Sequence, residues 1–105
     1  MIAENACGLK KSTQEKLNQL FSTYSMIDEV VLYGSRAKGT FKNGSDIDLT
    51  IKSKTMTIND LLKLENLIDD LLLPYKVDIS LYDQIDNKNL LDHIHNVGLL
   101  FCKKY

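Results

Sequence analysis

Gly34-Ser35-Arg36-Ala37-Lys38-Gly39-Thr40, running on to Ser45-Asp46-Ile47-Asp48-Leu49, decides how this 105-residue chain is read. Just before it stands Val30-Val31-Leu32-Tyr33, an apolar run of strand formers that stops at a glycine. The chain is therefore expected to leave a buried strand and enter a tight turn. Such a turn presents backbone N–H groups, a hydroxyl and two cations to whatever lies above it, which is the outline of a phosphate cradle. Beyond it, Asp46 and Asp48 alternate with Ile47, Leu49 and Ile51. That period of two puts both carboxylates on the open face of a half-buried strand, where they are best tolerated with a cation between them.

Upstream, Ser12-Thr13-Gln14-Glu15 reads as a capping box, and Leu17, Leu20, Phe21 and Tyr24 follow at helical spacing, so a first helix is expected over about 13–24. Residues 1–11 lack periodicity and are expected to form a loose lead-in, leaving 12–105 as a single domain. Strands are expected over about 29–34 and 45–52, the second returning antiparallel to the first, with a short helix beginning at Ser35. Thr57-Ile58-Asn59-Asp60 caps a helix over about 58–72, whose Leu61, Leu64, Leu67, Ile68, Leu71 and Leu72 make a wide apolar stripe. Pro74 stops that helix, and a third strand over about 76–82 alternates Val77, Ile79 and Leu81 with Asp78, Ser80 and Tyr82. A last helix over about 87–96 turns Leu90, Leu91, Ile94 and Val97 inward and takes Gly98 as its C-cap, before the apolar closing segment Leu99-Leu100-Phe101. The fold class is α+β: a small mixed sheet of about three main strands packed on helices. Pairing the second and third strands brings Asp46, Asp48 and Asp78 to one open face, and a one-residue slip would undo this.

A net charge of −1 gives no general basic footprint, so long nucleic acid is not an expected partner. Cys7 and Cys102 lie near opposite ends without ligand or redox spacing, which points to ordinary thiols in a reducing compartment. No apolar run approaches the roughly 18 residues of a membrane span and the first residues lack the apolar core of a signal peptide, so a cytoplasmic protein without a membrane partner is expected. His93 and His95 are two apart and do not share a helical face, so they are read as surface or partly buried residues and not as metal ligands. The five tyrosines are read as core or rim, with Tyr33, next to Gly34, able to line the site.

Gly-Ser, ten intervening residues and Asp-x-Asp, with a further acid on a neighbouring strand at Asp78, resemble the signature of the DNA polymerase β-like nucleotidyltransferase superfamily. The chain is most similar to the superfamily's smallest members, the minimal nucleotidyltransferases, and the likeness runs from the helix before Val30 to the Gly98 region. It implies a nucleotidyltransferase fold and transfer of a nucleoside monophosphate, foremost AMP from ATP, to a hydroxyl. It implies two Mg²⁺ ions about 3.5–4 Å apart on Asp46, Asp48 and Asp78, the last on the attacking side and placed to take the acceptor's proton. Gly34 and Ser35 would meet the β- and γ-phosphates, and Arg36, Lys38 or both would neutralise the leaving pyrophosphate. Ser45 would either bond a phosphate or simply start the strand.

Larger relatives carry a helical domain that completes the cleft. For so short a chain the resemblance implies a separate helical partner of the higher eukaryotes and prokaryotes nucleotide-binding (HEPN) type. In some such pairs the nucleotidyltransferase is an antitoxin that adenylylates (AMPylates) a tyrosine hydroxyl of a toxic RNase. Two other readings stand beside this one: a catalytically inactive module that neutralises a partner by binding alone, and an enzyme acting on a small molecule such as an aminoglycoside. An exposed sheet edge and a half-built cleft leave homo- or hetero-oligomers open. Donor base and acceptor are set by residues that the sequence does not place.

Overall fold

Residues 8–103 are described by the computed structural model, with side chains as far as residue 101. Along them run α1 (Lys11–Ser22), β1 (Glu29–Tyr33), α2 (Gly34–Lys38), β2 (Ile47–Lys52), α3 (Ile58–Asp70), β3 (Val77–Leu81), a 3₁₀ turn (Tyr82–Gln84), α4 (Lys88–Val97) and β4 (Leu99–Lys103). The thiols of Cys7 and Cys102 and the ring of Tyr105 lie outside the described side chains.

Among the described residues the sheet has four strands in the order β3-β2-β1-β4, one more than the three main strands expected. The addition is β4. Its unbroken apolar run carries no alternation by which to recognise a strand, yet it pairs antiparallel with β1, opposing Leu99 to Leu32, Leu100 to Val31 and Cys102 to Val30 across a register break. β1 and β2 are antiparallel, with Leu32 opposite Leu49 and Tyr33 opposite Asp48. β2 and β3 are parallel, with Asp48 opposite Asp78 and Thr50 opposite Ser80.

Strand alternation then sorts the two faces. Val30, Leu32, Ile47, Leu49, Ile51, Ile79 and Leu81 join Leu17 and Phe21 of α1 and Leu61, Leu64 and Ile68 of α3 in one core. Each fully buried side chain of this size contributes about 1.5–3 kcal/mol. The other face carries Val31, Tyr33, Asp48, Thr50, Asp78 and Ser80, and α4 covers its β1 side. Gly98 lies so close to Val31 that a Cβ there would press on the valine side chain and on the Ile94 carbonyl. That close approach is the reason for glycine, since Gly98 follows α4 with an ordinary negative φ of −59°.

Local signals succeeded where they could act alone. Thr57 and Asp60 form the reciprocal capping box, with Asp60 N–H donating to Thr57 Oγ1 (3.2 Å) and Thr57 N–H to Asp60 Oδ2 (3.0 Å). The box expected at Ser12 does not form. α1 begins two residues earlier with Lys10 as an N-cap that makes no side-chain bond, and Thr13 and Gln14 are buried. Of the lead-in expected to be loose, residues 1–7 lie outside the described residues, whereas Leu9 is sealed in the core. The stripe of α3 is narrower than expected, since Leu67 is exposed and Leu72, at φ 52°, is 87% exposed where the chain turns after the helix. On α4 only Ile94 is fully inward.

Candidate active site

β1 ends at Tyr33 and the chain turns at Gly34, which sits at φ +75° and opens α2. Glycine is required there twice: the left-handed conformation disfavours a side chain, and a Cβ would collide with Asp48 Oδ2. The Asp48 carboxylate therefore rests directly on the turn. Gly39, at φ +87°, closes α2 and donates its N–H to Ser35 O (2.9 Å).

Asp48 and Asp78 occupy opposite positions on adjacent parallel strands, and Asp46 lies immediately before β2. Asp46 and Asp48 are half-buried, Asp78 exposed. Burial pushes the Asp48 carboxyl above its usual range, and the charges of Asp78 and Asp46 push it further, partly offset by Lys76. Tyr33 lies among the same groups. Burial raises its phenol, the Ser80 hydroxyl opposes that by hydrogen bonding, and Asp48 and Asp78 add to the rise. Ser80 in turn donates to Thr50 Oγ1 (3.0 Å), so the floor between the acids and the strand interior is a network of hydroxyls.

Among the described residues, no three acidic, histidine or cysteine side chains converge into a ready-made metal cage. The donor set still fits Mg²⁺. That ion takes one or two carboxylates and keeps its remaining positions for water and phosphate oxygens. Here two carboxylates face each other across a ladder, and one of them fills the space that a side chain at Gly34 would need.

The basic residues divide. Lys38 is exposed at the end of α2. Arg36, expected as a phosphate ligand, is only 2% exposed. Its Nε and Nη2 donate to Ser45 O (3.1 and 3.0 Å), and its guanidinium lies over the rings of Phe41 and Tyr75, 5.2 and 4.8 Å from their centroids. This geometry corrects the expectation: Arg36 ties α2 to the start of β2. Ser45 lies in the turn just before β2. Its Oγ accepts the Lys42 N–H (2.8 Å) and its own N–H donates to Lys42 O (3.0 Å), which closes the turn leading into the strand. Ser35 is half-buried within α2.

The sequence assigns one participant no role in the site. His93, half-buried as expected, reaches from α4 to accept the Gly34 N–H at Nε2 (2.9 Å), its ring edge-on to Tyr33 with centroids 6.2 Å apart. No local signal in His-Ile-His announces a partner 59 positions away.

Sheet order, turn and opposed carboxylates together define a nucleotidyltransferase of the polymerase β type. The chain belongs to that family: residues 15–105 match the model described as Polymerase beta, Nucleotidyltransferase. Among curated proteins it is 30% identical to "Putative protein adenylyltransferase MJ0141" of Methanocaldococcus jannaschii, over 70% of this chain and 77% of that one. Among solved structures it shares a fold, at 21% identity and a TM-score of 0.69, with a chain of a toxin-antitoxin crystallised with AMP-PNP, covering 91% of this chain and 75% of that one. It also matches, at 16% identity and a TM-score of 0.66, a chain of a tri-AMPylated HEPN toxin of Shewanella oneidensis in complex with an MNT antitoxin, covering 90% of this chain and 72% of that one.

Proposed function

We propose that this protein is a Mg²⁺-dependent protein adenylyltransferase that moves AMP from ATP to a tyrosine hydroxyl of a HEPN-type toxin, and so acts as its antitoxin. The observation that carries the reading is the opposition of Asp48 and Asp78 beside a glycine turn with no room for a side chain. The relative named as a protein adenylyltransferase and the fold shared with antitoxin complexes support it.

In this reading Gly34 and Ser35 receive the triphosphate and exposed Lys38 offsets the charge of the departing pyrophosphate, while Arg36 holds the turn from behind. Asp46, Asp48 and Asp78 would hold Mg²⁺, which when bound supplies charge stabilisation at the transferring phosphate. The acceptor oxygen attacks the α-phosphorus, the bond to the pyrophosphate oxygen breaks, and the hydroxyl proton passes to the Asp78 carboxylate. Asp78 is the exposed acid of the three, which suits an acceptor arriving on a second protein.

Intact-mass spectrometry tests this. The protein, a HEPN-type partner, ATP and Mg²⁺ should give adenylyl adducts on the partner, and none with Asp78→Asn. A stable complex that gains no mass with any of the four nucleoside triphosphates would replace this reading with neutralisation by binding alone.

A further inference from the structure

We propose that His93 is a positioning residue of the nucleotide site: by accepting the Gly34 N–H it fixes the peptide against which the Asp48 carboxylate rests. The inference rests on the nucleotidyltransferase reading above.

A glycine at positive φ has a broad choice of conformations, so its own backbone does not fix where its N–H points. Gly34 lies just beyond the last β1–β2 pair, Tyr33 opposite Asp48. It is also the first residue of α2, where an N–H has no acceptor within the helix. Neither the ladder nor the helix holds this group. Left half-buried without a partner, it would be free to rotate at a penalty comparable to a lost hydrogen bond.

The acceptor comes from α4, and α4 is itself well anchored. Asn87 caps it by accepting the Leu90 N–H at 3.1 Å, and Ile94, the residue after His93, is buried. These two contacts set the rotation of the helix and thus the direction in which His93 leaves it. The Tyr33 ring, edge-on to the imidazole, restricts its tilt. Acceptance at Nε2 implies the neutral ring with its hydrogen on Nδ1. Gly34 is therefore held from both sides, by His93 on its N–H and by Asp48 against its Cα. Without His93 the turn relaxes and Asp48 loses its backing, although His93 itself need touch neither phosphate nor metal.

The test uses the full chain, Mg²⁺ and AMP-PNP. Calorimetry on His93→Ala should show binding roughly three- to tenfold weaker than wild type, the effect of one hydrogen bond. His93→Gln, whose amide oxygen reaches about as far as Nε2, should recover most of the loss. The amide resonance of Gly34 in the nucleotide-free protein should move in the alanine variant and return in the glutamine variant. Thermal melts of both variants show whether the fold is retained. Binding by His93→Ala that equals or exceeds wild type would overturn the positioning role. So would a glutamine variant that restores the Gly34 resonance and still binds as weakly as alanine. A wild-type protein that binds no AMP-PNP would overturn both the nucleotide reading and this inference, an outcome distinct from either variant result.

Discussion

Asp48 and Asp78 stand directly opposite each other across the parallel β2–β3 ladder, the first half-buried and the second exposed. Two like charges in adjacent register give the metal-free protein a local penalty that is absent when either side chain is neutral.

The pH dependence of that penalty follows from the raised pKa of Asp48. Folding favours its protonated form, so its destabilising contribution is absent below the ordinary value of 3.8, sets in as pH rises through the window above it, and is complete beyond the raised folded value. Asp48→Asn removes it. Melts of the metal-free proteins should place the variant at or above wild type at pH 7, the difference closing towards pH 3.

Mg²⁺ should stabilise wild type far more than either carboxylate variant. Wild type gains about 1.4 kcal/mol of stability at a Mg²⁺ concentration ten times its Kd, through binding to the folded state alone. Asp48→Asn and Asp78→Asn should gain much less. Equal metal-induced shifts in all three would remove these carboxylates from the site.

Gly34 and Gly39 share positive φ and differ in surroundings, so they separate backbone strain from collision. Gly39→Ala meets open space and should lose about 1–2 kcal/mol from the left-handed conformation. Gly34→Ala carries that strain and also drives a methyl into the Asp48 carboxylate, so it should lose more in urea unfolding and abolish transfer.

Arg36 should behave as a structural residue. Arg36→Ala removes two charge-assisted bonds to Ser45 O and two ring contacts, and should lower stability by about 2–4 kcal/mol. Arg36→Lys keeps the charge and loses the planar fork, so denaturant melts should show it recovering only part of the loss. Lys38→Ala should leave the melt nearly unchanged and weaken triphosphate binding.

The cap of α3 offers a fifth check at a distance from the site. Thr57→Ala should reduce stability by about 0.5–2 kcal/mol. Asp60, whose carboxyl is held below its usual range by the Thr57 backbone and side-chain bonds, contributes stability that is present above the ordinary value and lost as pH falls through the lowered one. The melting difference between wild type and Asp60→Asn should thus shrink in strong acid.

By itself the sequence determined what depends on near neighbours along the chain. Gly34 after an apolar run marked the turn, strand alternation marked the common face of Asp48 and Asp78, and Thr57 with Asp60 marked a helix start, because turns, pleats and caps are set within a few residues. Only the tertiary structure decided the partners that meet across long separations. Those are the pairing of Leu99–Lys103 with β1, the enclosure of Arg36 between Phe41 and Tyr75, and the contact of His93 with Gly34. In each case the side chain or segment has several uses of similar energy open to it locally. Burial against a distant element selects one, since an unpaired N–H or an unpartnered guanidinium in the interior is costlier than any local preference.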